Sequence, residues 1–323
     1  MALNKVRQLV SYPHELLFVL LFSFVKNAQK KKKCAIFVLI LLLLQPIFKE
    51  DNKMTKFKDA CVLITGGASG IGRIMGRVVL EKGAKQLIIW DINEKNIETT
   101  IEELKQIGSV AGYKIDISDS EKIVECYQKV RNEHGMVDIL INCAGVVFGN
   151  DTFDKQNITS IEKTMDINAT APMVIALQVL PEMIAQDKGH ICNIASAAGM
   201  ISNPKMSVYA ASKWAMIGWS DSVRIELKQM KSNVQITTIA PYFINTGMFD
   251  GVRSRIFPIL KPEPTVKKII RAIEKNKTFK GIPFSFHFIR FWQAILPLAV
   301  FDFFFGEVVG IFHVMDNFTG RKK

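Results

Sequence analysis

Histidine and cysteine are scarce in this chain, five of each in 323 residues. The cysteines (Cys34, Cys61, Cys126, Cys143, Cys192) are odd in number and show no C-x-x-C spacing, and the histidines do not cluster. That pattern argues against a zinc site and a disulfide framework and predicts reduced thiols. Also missing is an apolar run of the about 20 residues that a membrane-crossing helix needs. Residues 16–25 are apolar apart from Ser23, and 34–44 are apolar throughout, continuing past Gln45-Pro46 to Phe48. Runs of roughly 10 to 14 residues point instead to interfacial or re-entrant segments.

Positive charge is likewise missing from the middle of the chain. The net charge is +12, but residues 1–58 and 251–323 each carry +8, whereas 59–250 carry −4. A nucleic-acid-binding domain would be basic on its folded body, so no nucleic-acid partner is expected. Basic ends beside the most hydrophobic segments suit an anionic membrane surface. Lys30 to Lys33 lie between the two apolar runs, and Lys49 and Lys53 follow the second, so charge hardly fixes an orientation. A hairpin or shallow insertion keeps both basic flanks in the cytosol and is preferred to a single tilted span. A cleaved signal peptide lacks its small-x-small site. Met54 is an alternative start that would omit the anchor.

What is present begins at residue 59. With 49% apolar residues the chain has ample material for a core. Short apolar runs at 60–65, 86–90, 110–115, 136–142, 189–196 and 234–240 read as strands, with helical patterns between them at 71–82, 157–187 and 207–231, and a further helix at 264–276. Strict alternation predicts an α/β fold, a Rossmann-type doubly wound parallel sheet of about seven strands. The expected organisation is a membrane-associating segment at 1–56, a nucleotide-binding domain at 57–280, and a hydrophobic tail at 281–323. Ligands in such sheets bind beyond the carboxyl ends of the strands.

The first strand is followed by Thr65-Gly66-Gly67-Ala68-Ser69-Gly70-Ile71-Gly72. Glycines at 66, 70 and 72 allow a tight turn and close approach of a pyrophosphate to backbone N–H groups, with Ser69 and Ile71 beside it. Asp91 ends the second strand 19 residues beyond Gly72, which completes a dinucleotide signature. A carboxylate there accepts ribose hydroxyls and repels a 2′-phosphate, and Ala68 and Ile92 supply no offsetting cation, so the expected cofactor is NAD(H). Asp116-Ile117 and Asn142-Cys143-Ala144-Gly145 follow the third and fourth strands, in position to contact the adenine and floor the nicotinamide cleft. A helix N-cap and an ordinary turn are their bland alternatives.

Tyr209 and Lys213 stand four apart in a helical run and therefore share a face. A neighbouring cation favours a phenolate over the ordinary pKa of about 10, so Tyr209 is expected to exchange protons near neutrality. Ser196 closes the fifth strand 13 residues earlier, with a hydroxyl suited to a substrate oxygen. Asn168, inside a helical stretch, implies a kink or a buried polar role.

Thr65-Gly66-x3-Gly70-x-Gly72, Asn142-x-Ala144-Gly145, Asn168, Ser196 and Tyr209-x3-Lys213, in this order, resemble the short-chain dehydrogenase/reductase family over residues 57–250. The segment 241–249 and the ending 310–316 resemble its epidermal retinol dehydrogenase and 17β-hydroxysteroid dehydrogenase branch, whose members are membrane or lipid-droplet associated. The resemblance implies that Tyr209 donates or accepts the proton and that Lys213 lowers its pKa and holds the nicotinamide ribose. Ser196 would orient the reacting oxygen, and Asn168 would bind a relay water. Pro241 and Thr246 join the cofactor set. It further implies a homodimer through the helices of Asn168 and Tyr209. It places the enzyme at the endoplasmic reticulum or lipid droplet of a eukaryote, or at a bacterial inner membrane, with its catalytic domain in the cytosol. Cys143 replaces a usual Asn, and Tyr242 a frequent Gly.

Met200, Met206, Tyr242, Phe243, Met248 and Phe249 are expected to line an adaptable apolar substrate side, with core packing as the alternative. The Phe-rich tail, divided by Pro283 and Pro297, either caps that cleft or lies in a membrane interface. The expected activity is NAD-dependent hydride transfer at a hydroxyl or carbonyl of a retinoid, steroid or long-chain alcohol. A non-catalytic lipid-surface scaffold and a reductase of polar carbonyls are the alternatives.

Overall fold

A computed structural model describes residues 54–148 and 151–320. The apolar runs at 16–25 and 34–48, the lysines between them and Cys34 lie outside the described residues. Seven strands form one sheet in the order β3-β2-β1-β4-β5-β6-β7, every neighbouring pair parallel. They are β1 (Cys61–Thr65), β2 (Gln86–Asp91), β3 (Val110–Lys114), β4 (Ile139–Asn142), β5 (His190–Ile194), β6 (Gln235–Pro241) and β7 (Phe279–Ile282). The six strands placed from the sequence all form, and β7 completes the expected seven without having been placed. Its Phe-Lys-Gly-Ile has no apolar run to announce it, and among the described strands it pairs only with β6, at the sheet edge.

Helices cover both faces. Helix α1 (Gly70–Glu81) buries Gly72, Met75, Gly76, Val79 and Leu80, an i, i+3, i+4 stripe. With α2 (Glu94–Leu104) and the later α7 (Pro262–Glu274) it closes one face, where Met75, Val79, Leu104, Val266 and Ile270 meet β1 and β2. Helix α3 (Ser120–His134) and the helices of the 157–187 stretch cover the other face, with Ile123, Val130, Ile175 and Met183 against β1, β2 and β4. Strand order reverses between β1, which neighbours β2, and β4, which neighbours β5. The switch opens a crevice at the carboxyl ends of β1 and β4, where such folds hold ligands.

The helix expected at 157–187 is broken into α4 (Ile158–Met165), a π turn at Asp166–Thr170 and α5 (Ala171–Ala185). The stretch Ile158–Ala185 is long and apolar enough to cross a membrane by length and composition. Its Ile175, Val179 and Met183 are nevertheless fully buried against the sheet, as in a core helix. Helix α6 (Ser207–Gln229) carries Tyr209 and Lys213.

After β7 the tail folds into α8 (Ile289–Ile295), α9 (Leu298–Phe301) and a π turn at Asp302–Val308. Its inner residues Phe286, Ile289, Phe301, Phe305 and Ile311 pack with Met200, Met206, Tyr209, Tyr242 and Phe243. Its outer residues Phe284, Phe288, Phe291, Trp292, Leu298 and Phe303 face solvent.

Candidate active site

A cavity of about 400 Å³ opens at the switch point. Gly66, Ser69, Gly70, Ile71 and Gly72 line it from the β1–α1 loop, Asp91 from the end of β2, and Asp116 and Ile117 from beyond β3. Ala144 and Gly145 enter from beyond β4, and Pro241 and Thr246 from β6 and its loop. Ser196, Tyr209 and Lys213 stand on the same wall system, as do Met206, Tyr242, Phe243, Met248 and Phe249.

Three expected residues do not line the cavity. Asn142 is buried within the sheet, where its Nδ2 donates to Asn193 Oδ1 at 2.8 Å. Met200 packs in the apolar cluster beneath the tail. Asn168 sits in the π turn, fully buried, with its Nδ2 donating to the Val146 carbonyl at 2.9 Å and to Ser212 Oγ at 3.1 Å. Its Oδ1 accepts from Val146 N at 2.8 Å. Both amide hydrogens are therefore committed, and any water bound at Asn168 must sit on an oxygen. Ser212, which the sequence did not mark, extends the clamp by donating to the Tyr209 carbonyl at 2.7 Å.

The glycine loop fits a dinucleotide. Gly66 has φ +65, and a Cβ there would stand 2.9 Å from Ala144 Cα; a Cβ on Gly72 would stand 2.1 Å from the Gly66 carbonyl. Only a bare backbone allows that closeness of loop, helix and β4. Ser69 makes no side-chain cap, and the first turn of α1 holds no acid, so that helix end presents N–H groups to an anion. Thr65 Oγ1 accepts from Cys143 N at 3.0 Å and Ala144 N at 3.1 Å, which ties the loop after β4 to β1.

Asp91 is held at the cavity edge, its Oδ2 accepting from Ala68 N at 3.1 Å and its Oδ1 from Asn93 N at 3.1 Å. The cations in the lining, Lys163 and Lys213, come from α4 and α6 and not from β2 or its loop.

Lys213 Nζ lies 5.7 Å from the centroid of the Tyr209 ring and donates to the Ile194 carbonyl at 3.1 Å. The expected lowering of the Tyr209 pKa does not occur. Burial pushes the phenol up to about 12, and a hydrogen bond with Ser196 pulls only partly the other way. Burial also brings Lys213 down to about 8, partly countered by the Cys143 sulfur. Desolvation disfavours the charged form of both groups and outweighs any attraction across their separation. At neutral pH the phenol therefore holds its proton, ready to donate it. Phe249 meets the Tyr209 ring edge-on, centroids 6.1 Å apart, and Phe243 at 4.9 Å, so the reacting side is apolar.

A seven-stranded parallel sheet, a glycine-cradled crevice at its switch point and a Ser-Tyr-Lys set beside it define an oxidoreductase of the nicotinamide-binding kind. The chain belongs to the short chain dehydrogenase family, whose profile matches residues 60–256. It is 36% identical to human epidermal retinol dehydrogenase 2 over 307 residues, 92% of this chain and 98% of that one. It is also 36% identical to human estradiol 17-beta-dehydrogenase 11 over 238 residues, 73% of this chain and 79% of that one. A solved short-chain dehydrogenase from Novosphingobium aromaticivorans superposes with a TM-score of 0.65 at 22% identity, covering 75% of this chain and 87% of that one. A metagenomic short-chain oxidoreductase in complex with NADP gives 0.60 at 23%, covering 71% of this chain and 97% of that one. These two show the fold.

Proposed function

We propose that the protein is an NAD(H)-dependent dehydrogenase of an apolar alcohol or its carbonyl, working at a lipid surface. The observation that carries the cofactor choice is Asp91. Its carboxylate is fixed by two backbone N–H groups, and a 2′-phosphate beside it would meet uncompensated like charge. The substrate class rests on the apolar wall of Met206, Phe243, Met248 and Phe249 and on the names of the relatives.

A bound nicotinamide would supply or take the hydride and, when oxidised, add positive charge to the cleft. The chain's own residues would handle the proton. Tyr209, protonated at neutrality, would give its proton to the nascent alkoxide in reduction and take it back in oxidation. Ser196, hydrogen-bonded to Tyr209, would hold the reacting oxygen beside the phenol. Lys213 would reach the ribose while anchored on Ile194. Asn168 would act as a positioning residue that locks the loop after β4 to α6. The exposed aromatic face of the tail, beside the substrate cluster, would sit in the lipid interface along with the apolar segments at 16–48.

The test is absorbance at the reduced-nicotinamide band, using full-length protein in detergent with NAD⁺ or NADP⁺ and retinol, steroid and long-chain alcohols. Turnover with NAD⁺ and an apolar alcohol is expected. In Tyr209→Phe it should fall about 10³-fold. Preference for NADP⁺, or full activity in Tyr209→Phe, would contradict the reading.

A further inference from the structure

A second cavity, about 650 Å³, lies between the start of α6 and the C-terminal tail. Ile201 and Asn203 line both this cavity and the one containing Tyr209, so these two side chains form the partition. Its walls are mainly apolar: Ala211 and Trp214 from α6, and Leu298, Phe301 and Phe305 from the tail. At its outer side Leu298 is 74% exposed and Trp214 42% exposed, next to the solvent-facing aromatic band. The polar residues of the lining are fewer, Ser202, Asn203, Ser207, Gln293 and Asp302, and a long apolar molecule could enter past Leu298 and Trp214.

The partition carries one conspicuous polar atom. Asn203 is only 8% exposed, and among the described residues its buried Oδ1 has no hydrogen-bond partner. A buried amide oxygen left unpaired is unfavourable, so this atom is a ready acceptor for a ligand donor. Gln293, on the tail side, is committed elsewhere, its Nε2 donating to the Met200 carbonyl at 2.9 Å.

We infer that the second cavity holds the distal part of an elongated apolar substrate, and that Asn203 Oδ1 accepts a hydrogen bond from a hydroxyl carried along its length. This inference rests on the dehydrogenase reading for the identity of the reacting end. A bound dinucleotide would share the first cavity with the reacting end of the substrate, beside Ser196 and Tyr209. Ile201 and Asn203 then select for a substrate that threads between them.

The test uses full-length protein in detergent with NAD⁺ and three straight-chain primary alcohols: a short one, a long one, and the long one bearing a second hydroxyl along its chain. The wild type should favour the dihydroxy chain over the plain long chain by about fivefold, and Asn203→Leu should remove that preference. Ala211→Phe, on the exposed side of α6, should lower the long-to-short ratio of kcat/KM about tenfold by filling the cavity. Binding is read separately by Trp214 fluorescence, assigned with Trp214→Phe. A long alcohol brominated at its far end should quench more strongly than the same chain brominated beside its hydroxyl. Wild-type ratios in both variants, or equal quenching by the two brominated chains, would overturn the inference. Far-end quenching in a protein that oxidises none of the alcohols would uphold the cavity and defeat the dehydrogenase reading instead.

Discussion

Tyr209 and Lys213 show how burial reverses what spacing alone predicts. Four residues along a helix bring an ammonium and a phenol to one face, and the sequence shows that much. It does not show that both side chains are buried, which raises the phenol to about 12 and lowers the ammonium to about 8. The pH profile follows with a definite sign. Alcohol oxidation needs the phenolate, so its rate rises with pH across the neutral and mildly alkaline range, more shallowly above about 8, where Lys213 loses its charge. Carbonyl reduction needs the phenol, stays level up to about 8 and falls above it as Lys213 loses its charge. Initial rates in both directions between about pH 6 and 10 check this; an oxidation rate independent of pH would contradict it. At the same scale Asn203 escaped sequence reading, because an Asn before a Pro looks like an ordinary turn residue. Only the packed structure shows its oxygen buried and, among the described residues, unpaired.

Among the elements, the strand-loop-helix unit at β1 and α1 was the most legible, because its glycines answer to backbone geometry. Gly72→Ala should show this directly. Its methyl would meet the Gly66 carbonyl oxygen at 2.1 Å and the Gly67 Cα at 3.1 Å, all backbone with nothing flexible to yield. Destabilisation of about 1–3 kcal/mol is expected in thermal unfolding, together with weakened NADH binding; wild-type stability would contradict the packing. The π turn was less legible. Asn168 in a helical stretch hinted at a kink, but its bonds to Val146 and Ser212 come from segments far away in sequence.

Strand β5 also begins with an unmarked feature. His190 is buried, with Nδ1 2.8 Å from Thr55 Oγ1 and Nε2 2.8 Å from Thr237 Oγ1. Thr55 donates its own proton to Asn276 Oδ1, so Nδ1 must donate to Thr55 and Nε2 must accept from Thr237. Burial of this neutral ring lowers its pKa from 6.5 to about 3. The unfolded chain binds this proton first as pH falls, so the stabilisation is complete above about 6.5 and drains away between there and about 3. His190→Gln should flatten that part of a stability-against-pH curve measured by denaturant unfolding. A wild-type slope retained in the variant would contradict the assignment.

For the molecule as a whole, alternation of strand and helix announced the doubly wound sheet, since fully buried parallel strands have to be continuous apolar runs. The tail was the part that sequence left open between cap and membrane contact. It has two faces. Phe286, Phe301, Phe305 and Ile311 pack against Met206, Tyr209, Tyr242 and Phe243, while Phe284, Phe291, Leu298 and Phe303 remain outward. A Phe-rich run without regular periodicity cannot tell a reader which ring faces which way. On the proposed reading, a lipid-facing entrance, an apolar cleft and a proton-holding tyrosine would form one route from membrane to nicotinamide. Its central step would be hydride transfer from an apolar alcohol, and that can be followed atom by atom. Full-length protein would be given NAD⁺ and a long-chain primary alcohol deuterated at the carbinol carbon, and the nicotinamide examined by mass spectrometry. Deuterium on the reduced nicotinamide in the wild type, and none above background in Tyr209→Phe, is the predicted result; unlabelled NADH, or equal labelling in the variant, would contradict it.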